Sequence, residues 1–201
     1  YWPDGHWDID DARIAEYIES LQKHFDTWDR TKVFETTGKK IIHLTGDYGW
    51  RLDRDKEVKE ISKLLRRNGT TIHPLHFLTE AAVRYNPARD YGNSYVEIDL
   101  TNQRLVFYKN GTPVVDTPVV TGNPDIEGCG TPTGCYSLDA KESPAVLTGE
   151  DYEANVTYWM PFAGNVGIHD ASWRSEFGGN LYLWEGSHGC VNVPYDKAAA
   201  I

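Results

Sequence analysis

No run of apolar residues in this 201-residue chain approaches the 18 or more that a membrane-spanning helix needs. Positive charge is scarce as well: 20 Lys and Arg stand against 30 Asp and Glu, for a net charge of −10. Phosphate binding wants a basic face, so this balance argues against a nucleic-acid partner without naming a different one. There are three cysteines and one methionine. An odd cysteine count leaves at least one thiol outside any disulfide. Internal repeats and low-complexity tracts are missing, which sets aside a repeat array. A signal peptide is missing too, and the chain opens on Tyr1 rather than methionine, so it reads as a fragment or mature piece.

What remains is ordinary for a folded globular protein. Apolar residues make up 40% and charged residues 25%. The length suffices for one large domain or two small ones, each with a core.

The first half mixes helix and strand signals. Asp10-Asp11 can cap a helix in which Ile14, Tyr17, Ile18 and Leu21 recur at the spacing of one buried face. Trp2, Trp7 and Trp28 add aromatic area at the edges. Val33–Thr37 and Lys40–Leu44 are β-prone, with Gly38-Lys39 as a hairpin turn, and Gly46–Trp50 is a further turn-rich patch. Asp53 can cap a second helix with Val58, Ile61, Leu64 and Leu65 on its inner face, stopped by Asn68-Gly69. Thr70–Phe77 reads as another strand. His73 and His76 flank Pro74, which disfavours a helical ligand pair, and no chemistry is assigned to them or to His6, His24 and His43. The polar stretch Tyr85–Asn93, with Pro87 and Gly92, marks a domain boundary, giving units 1–92 and 93–201.

The second half opens with strands. Val96, Ile98 and Leu100 alternate with polar neighbours, Thr101-Asn102 turns, and Leu105–Tyr108 leads into Asn110-Gly111, a strong hairpin signal. Val114-Val115 and Val119-Val120 continue the sheet, with Pro113 and Pro118 suited to an edge. The segments that follow are short, turn-punctuated and aromatic. The expected fold is therefore an α+β N-terminal domain followed by a mostly β, sandwich- or barrel-like domain.

The chemistry concentrates near the end. Gly186-Ser187-His188-Gly189-Cys190-Val191-Asn192 places a cysteine in a small-residue turn, and Gly167-Ile168-His169-Asp170 lies upstream. A thiol nucleophile needs a base, and the base an orienting group. His169 suits the base, Asp170 or a backbone carbonyl the orienting group, and the amides of Gly189 and Cys190 an oxyanion hole. His188 is the weaker base, being fixed on the nucleophile's own turn. Two other readings stand beside this one. Free cysteine is commonly a small buried apolar residue. His169, His188 and Cys190 are also possible zinc ligands, although their spacing fits none of the usual patterns. An activated thiol alkylates quickly near neutral pH, and a buried structural one does not.

Ser187–Asn192 with His169 upstream resembles the signature of the YkuD-type L,D-transpeptidases. Thr131-Pro132-Thr133-Gly134 resembles that family's T-P-x-G turn, Gly167–Asp170 its G-I-H block, and Ser94–Gly122 its opening hairpins. The first half resembles, more weakly, the peptidoglycan-binding-type domain that precedes the catalytic domain in some Gram-positive members. Ser172–Glu185 looks like the longer insertion of those relatives.

The resemblance implies a bacterial enzyme that cross-links peptidoglycan. Cys190 would attack a tetrapeptide stem, release D-alanine, and pass the acyl group to the side-chain amine of a second stem. Ser187, His188 and Asn192 would shape the turn and bind substrate. Tyr158 and Trp173, in an aromatic-rich stretch, are candidates for lining the cleft, and Gly178-Gly179-Asn180 is either a closing loop or an inert turn. No cofactor or metal is implied. The full-length protein is expected to be exported or membrane-anchored, at the cell wall on the outer face of the membrane, and carbapenems are expected inhibitors. An L,D-carboxypeptidase using water, a non-catalytic peptidoglycan-binding module and a cysteine protease remain as alternatives. Cys129 and Cys135 lie six apart across a turn, and a disulfide and two free thiols both stay open.

Overall fold

A computed structural model describes residues 8–67, 70–84, 86–149 and 153–201. Trp2, His6, Trp7, the Asn68-Gly69 helix stop and Tyr85 of the boundary segment lie outside the described residues.

The first half contains helix α1 (Asp11–Phe25), the hairpin β1 (Lys32–Glu35) and β2 (Ile41–Leu44), the short strand β3 (Arg51–Leu52), helix α2 (Arg54–Leu65) and strand β4 (Phe77–Thr79). Asp10 caps α1 by accepting the Ala12 N–H, and Asp53 caps α2 by accepting the Lys56 N–H at 3.0 Å. The two helices pack together around Ile14, Ile18 and Leu52, with Leu21, Val58 and Ile61 at the margin. Two residues expected on these inner faces, Tyr17 and Leu65, are exposed. The spacing is right, but a two-helix layer this small covers only the centre of each stripe. The expected strand Thr70–Phe77 is also corrected: Thr70–His76 is coil and β4 starts at Phe77. The His76 amide bonds to the Glu57 carboxylate and its carbonyl accepts the Asp53 N–H, so these groups serve the helix instead of a ladder.

The second half is β-rich. Strands β5 (Tyr95–Asp99), β6 (Arg104–Lys109) and β7 (Thr112–Pro118) form an antiparallel sheet in that order. Asn110 and Gly111, both at positive φ, make the β6–β7 turn, and Pro113 and Pro118 lie on β7, one of the two outer strands. A hairpin follows, β8 (Ala145–Thr148) with β9 (Glu153–Val156). A second three-stranded sheet has the order β10 (Trp159–Ala163), β11 (Val166–Asp170), β12 (Val191–Val193). A short helix α3 (Tyr182–Glu185) interrupts the β11–β12 connection, and α4 (Tyr195–Ala200) packs on β7 and β11. The sheets enclose Leu105, Val115, Val119, Met160, Ile168, Val191 and Val193 as an open sandwich and do not close into a barrel. Val120 leaves the first sheet to bridge Asn192, exchanging both backbone hydrogen bonds, and so ties that sheet to β12.

The halves meet through aromatic and polar contacts. The Phe34 ring sits edge-on to Tyr91 and Tyr95. The Thr37 amide and hydroxyl both donate to the Glu97 carboxylate. The Cys135 N–H donates to Thr45 O at 3.0 Å.

Candidate active site

The cysteine turn is held from several directions. Parallel pairing of β11 and β12 sets Ile168 opposite Val191 and His169 opposite Asn192, so Cys190 stands just before β12, beside the strand that carries the imidazole. Gly189 has φ +115°, a conformation that a side chain resists, and a Cβ there would press on Val166. Ser187 donates its hydroxyl to Cys190 O and accepts the Gly189 N–H at 3.2 Å. Thr131, first residue of the T-P-x-G turn, accepts the Gly122 N–H at 2.9 Å and donates to Gly189 O at 2.7 Å. One partly buried hydroxyl therefore ties the nucleophile's turn to Gly122, two residues past the Val120 bridge.

His169 is 4% exposed, and both of its ring nitrogens have partners. Nδ1 lies 2.9 Å from Asp170 O, which can only accept, so Nδ1 carries the proton. Nε2 lies 3.0 Å from Asn192 Nδ2. Arg174 settles which way that amide faces: its Nε–H donates to Asn192 Oδ1 at 2.9 Å, and a guanidinium cannot accept. Asn192 thus turns its NH₂ toward His169, and Nε2 holds the lone pair. Burial pushes the imidazole below its ordinary pKa and the Arg174 charge adds to this, against the opposing pull of Asp170. The base is neutral at neutral pH.

The thiol is protonated in this state. Burial pushes Cys190 above the usual cysteine value, and the Gly167 amide opposes only in part. Sγ donates to Asn165 O at 3.7 Å. An almost wholly buried sulfur with no positive charge among the partners that set its pKa lacks what stabilises a thiolate.

The other residues singled out from the sequence fall in three places. The Asp170 carboxylate faces away from His169 and accepts the amides of Thr157 and Tyr158, so it is the Asp170 carbonyl that orients the base. Asn192 is 2% exposed and bears on the base rather than on the cleft. His188 is exposed on the turn. Trp173 is 54% exposed, with its ring 5.8 Å from that of His169. Tyr158 instead sets its ring against Tyr195, 5.6 Å away. Trp159 takes the place expected of Tyr158, its ring 5.9 Å from His169 and lying across Gly167, where any Cβ would collide with it. The imidazole thus has two indoles as ring neighbours. Gly178 donates its N–H to Val119 O at 2.9 Å, so the Gly178–Asn180 turn is anchored on the first sheet. Cys129 and Cys135 are free thiols, and burial pushes Cys135 up to about 11.

Arg174 was not legible as a site residue. The only signal was a charge within an aromatic run two residues past Ser172.

Residues 93–201 match the YkuD family model, the L,D-transpeptidase catalytic domain, and residues 4–73 match a model described as "Putative peptidoglycan binding domain". Among curated proteins no match was found. Among solved structures, a crystal structure of a cysteine-to-serine mutant of the Enterococcus faecium L,D-transpeptidase aligns with TM-score 0.72 at 29% identity, covering 99% of this chain and 80% of that one. The Ldtfm–avibactam carbamoyl enzyme aligns with TM-score 0.72 at 30% identity, covering 99% and 78%.

Proposed function

Because the chain belongs to the L,D-transpeptidase family, we propose that it forms peptidoglycan cross-links by acyl transfer through Cys190, with His169 as general base. Both matched families concern peptidoglycan, so peptidoglycan is the substrate class and the cell wall the associated structure. We assign the donor to a tetrapeptide stem and the working location to the outer face of the membrane. Residues 1–92 form the unit that holds the polymer, and 93–201 the unit that carries out the chemistry.

The observation that carries this reading is a cysteine on a positive-φ turn at the entry to β12, two residues before the Asn192 that pairs with and bonds a neutral imidazole whose tautomer is fixed. When substrate enters, the thiol turns from Asn165 O to the imidazole. The Asn192 N–H releases Nε2, and His169 Nε2 takes the proton as sulfur attacks the carbonyl between the third stem residue, of L configuration, and the terminal D-alanine. A protonated thiol and a neutral base suit this concerted step, since no charge is buried before substrate arrives. The Cys190 amide faces the growing oxyanion, with Gly189, now on Ser187 Oγ, as second donor. The imidazolium returns its proton to the departing D-alanine nitrogen and a thioester remains. The side-chain amine of a second stem then attacks, gives a proton to His169, and expels the thiol, which is reprotonated. The avibactam carbamoyl form of a 30% identical relative supports a nucleophile that accepts acyl-type groups. Exposed Trp173 and the neighbouring Trp159 give the cleft apolar walls for a stem peptide.

Incubation with a disaccharide-tetrapeptide, read by mass spectrometry, tests the reaction. A dimer formed with loss of one D-alanine is the expected product, and Cys190→Ala abolishes it. A tripeptide monomer alone would make the chain an L,D-carboxypeptidase. No product at all would leave a binding module.

A further inference from the structure

Glu57 lies near the start of α2 and is fully buried. The ion-pair partners described for it are two imidazoles rather than a lysine or arginine. His73 Nε2 is 2.8 Å from Oε2, and His76 Nδ1 is 2.7 Å from Oε1, which also accepts the His76 backbone N–H. Pro74 and Leu75 bend the segment between the histidines. Leu75 packs against the N-terminal core while both flanking rings turn to one carboxylate. The three donor atoms lie within 4.8 Å of one another.

We propose that Glu57, His73 and His76 form a zinc site that fastens the segment 70–76 to helix α2. Two imidazoles and a carboxylate are an established zinc donor set, with the fourth position left to water. The rings are 18% and 33% exposed at the side chain, so that position opens to solvent. Each imidazole nitrogen stands at hydrogen-bond spacing from its carboxylate oxygen and needs to part from it by roughly half an ångström to reach the edge of a tetrahedron with bonds of about 2.0–2.1 Å, and the two ring nitrogens already lie within 4.8 Å of each other. That movement falls on a coil, not on a packed ladder.

Two features of this half call for such a fastening. A buried carboxylate without a permanent cation is unfavourable, and a divalent ion neutralises it. Segment 70–76 belongs to no helix or strand, Ile72 within it is 96% exposed, and its backbone ties to α2 and its cap run through His76. Among the described residues the core cluster it adjoins has three buried side chains, Ile14, Ile18 and Leu52, and small units with little core commonly rely on a metal or disulfide. The inference stands apart from the transpeptidase reading and uses none of its residues.

The test is titration of the chelator-treated chain with Zn²⁺ by calorimetry, and with Co²⁺ by visible absorption. The comparison is a His73→Gln/His76→Asn double variant, which places amide nitrogens where the ring nitrogens were. It keeps the hydrogen bonds to Glu57 and loses the ligands. The expected result is one Zn²⁺ per chain and a melting temperature raised by about 5–10 °C when free metal is about 100 times the dissociation constant. The cobalt spectrum should be that of a four-coordinate site without thiolate charge transfer. Binding should vanish in the variant while its metal-free melting temperature stays near the parent value. If the double variant does not fold, each single variant is read the same way. Sub-stoichiometric binding by the parent chain, binding kept in the variants, or a thiolate band placing the metal on a cysteine would overturn the proposal.

Discussion

Asn192 donates its side-chain N–H to Nε2 of His169 across 3.0 Å, and Arg174 fixes the amide that does so. The consequence is a base of fixed tautomer: the lone pair stays on Nε2, engaged by the amide until substrate enters, while the Asp170 carbonyl holds the proton on Nδ1. Exchanging Asn192 for aspartate keeps the Arg174 contact but sets a carboxylate against Nε2. That favours the imidazolium and raises the pKa of His169. The parent enzyme should lose activity only below pH 6.5, because its base is depressed from that value. In Asn192→Asp the acid limb should move upward, with about tenfold of rate lost on the limb for each unit of movement. A kcat/KM–pH profile on the tetrapeptide donor reads this directly. An unmoved limb would remove Asn192 from control of the base.

The buried thiol gives a second prediction. Burial raises its pKa above the usual cysteine value, so alkylation of Cys190 by iodoacetamide should be slow at pH 7 and climb about tenfold per pH unit from there until the pH meets that raised pKa. A plateau reached near pH 7 would indicate a thiolate–imidazolium pair in the free enzyme, against the concerted step.

Thr131 links two segments that are distant in sequence. Thr131→Val keeps the volume and leaves the Gly122 N–H and Gly189 O without their shared partner. The cost should be about 1–3 kcal/mol in denaturant unfolding. Because the loosened group is the turn that presents Cys190, kcat should fall more than KM rises. Unchanged kcat would mean that the turn holds its shape without the clamp.

The halves differ in what their sequence disclosed, for physical reasons. Hairpins and caps rest on local rules, so Asp10, Asp53 and Asn110-Gly111 declared themselves. The cysteine turn was legible because its chemistry demands particular residues at short spacing. The Arg174–Asn192–His169 chain was not, because it depends on parallel pairing of β11 with β12 and on a loop folding back over them. Tyr17 and Leu65 were misplaced because periodicity reports a stripe and not how much partner there is to cover it. Helical spacing gives His73 and His76 no common face across Pro74, whereas the structure brings them together in coil through a buried glutamate on another element.

Lys32 and Asp90 form an ion pair at 2.8 Å with side chains 1% and 0% exposed, and Lys32 also donates to Thr27 O at 2.8 Å. Oδ1 of Asp90 has no partner among the described groups. Asp90→Ala strands a buried ammonium and should destabilise the chain by about 3–5 kcal/mol in denaturant unfolding, whereas Lys32→Met with Asp90→Leu should be much less costly. Equal losses in both would show that packing, not the stranded charge, sets the cost.

The central claim is that Cys190 accepts an acyl group with the help of its neighbours. Intact-protein mass spectrometry after incubation with a carbapenem, on the parent chain and on Cys190→Ala, tests it most directly. A strained β-lactam ring acylates a competent thiol with its whole mass retained. The predicted result is one covalent adduct per chain in the parent and none in the variant. A parent chain that stays unmodified, or a variant that is modified equally, would contradict the account.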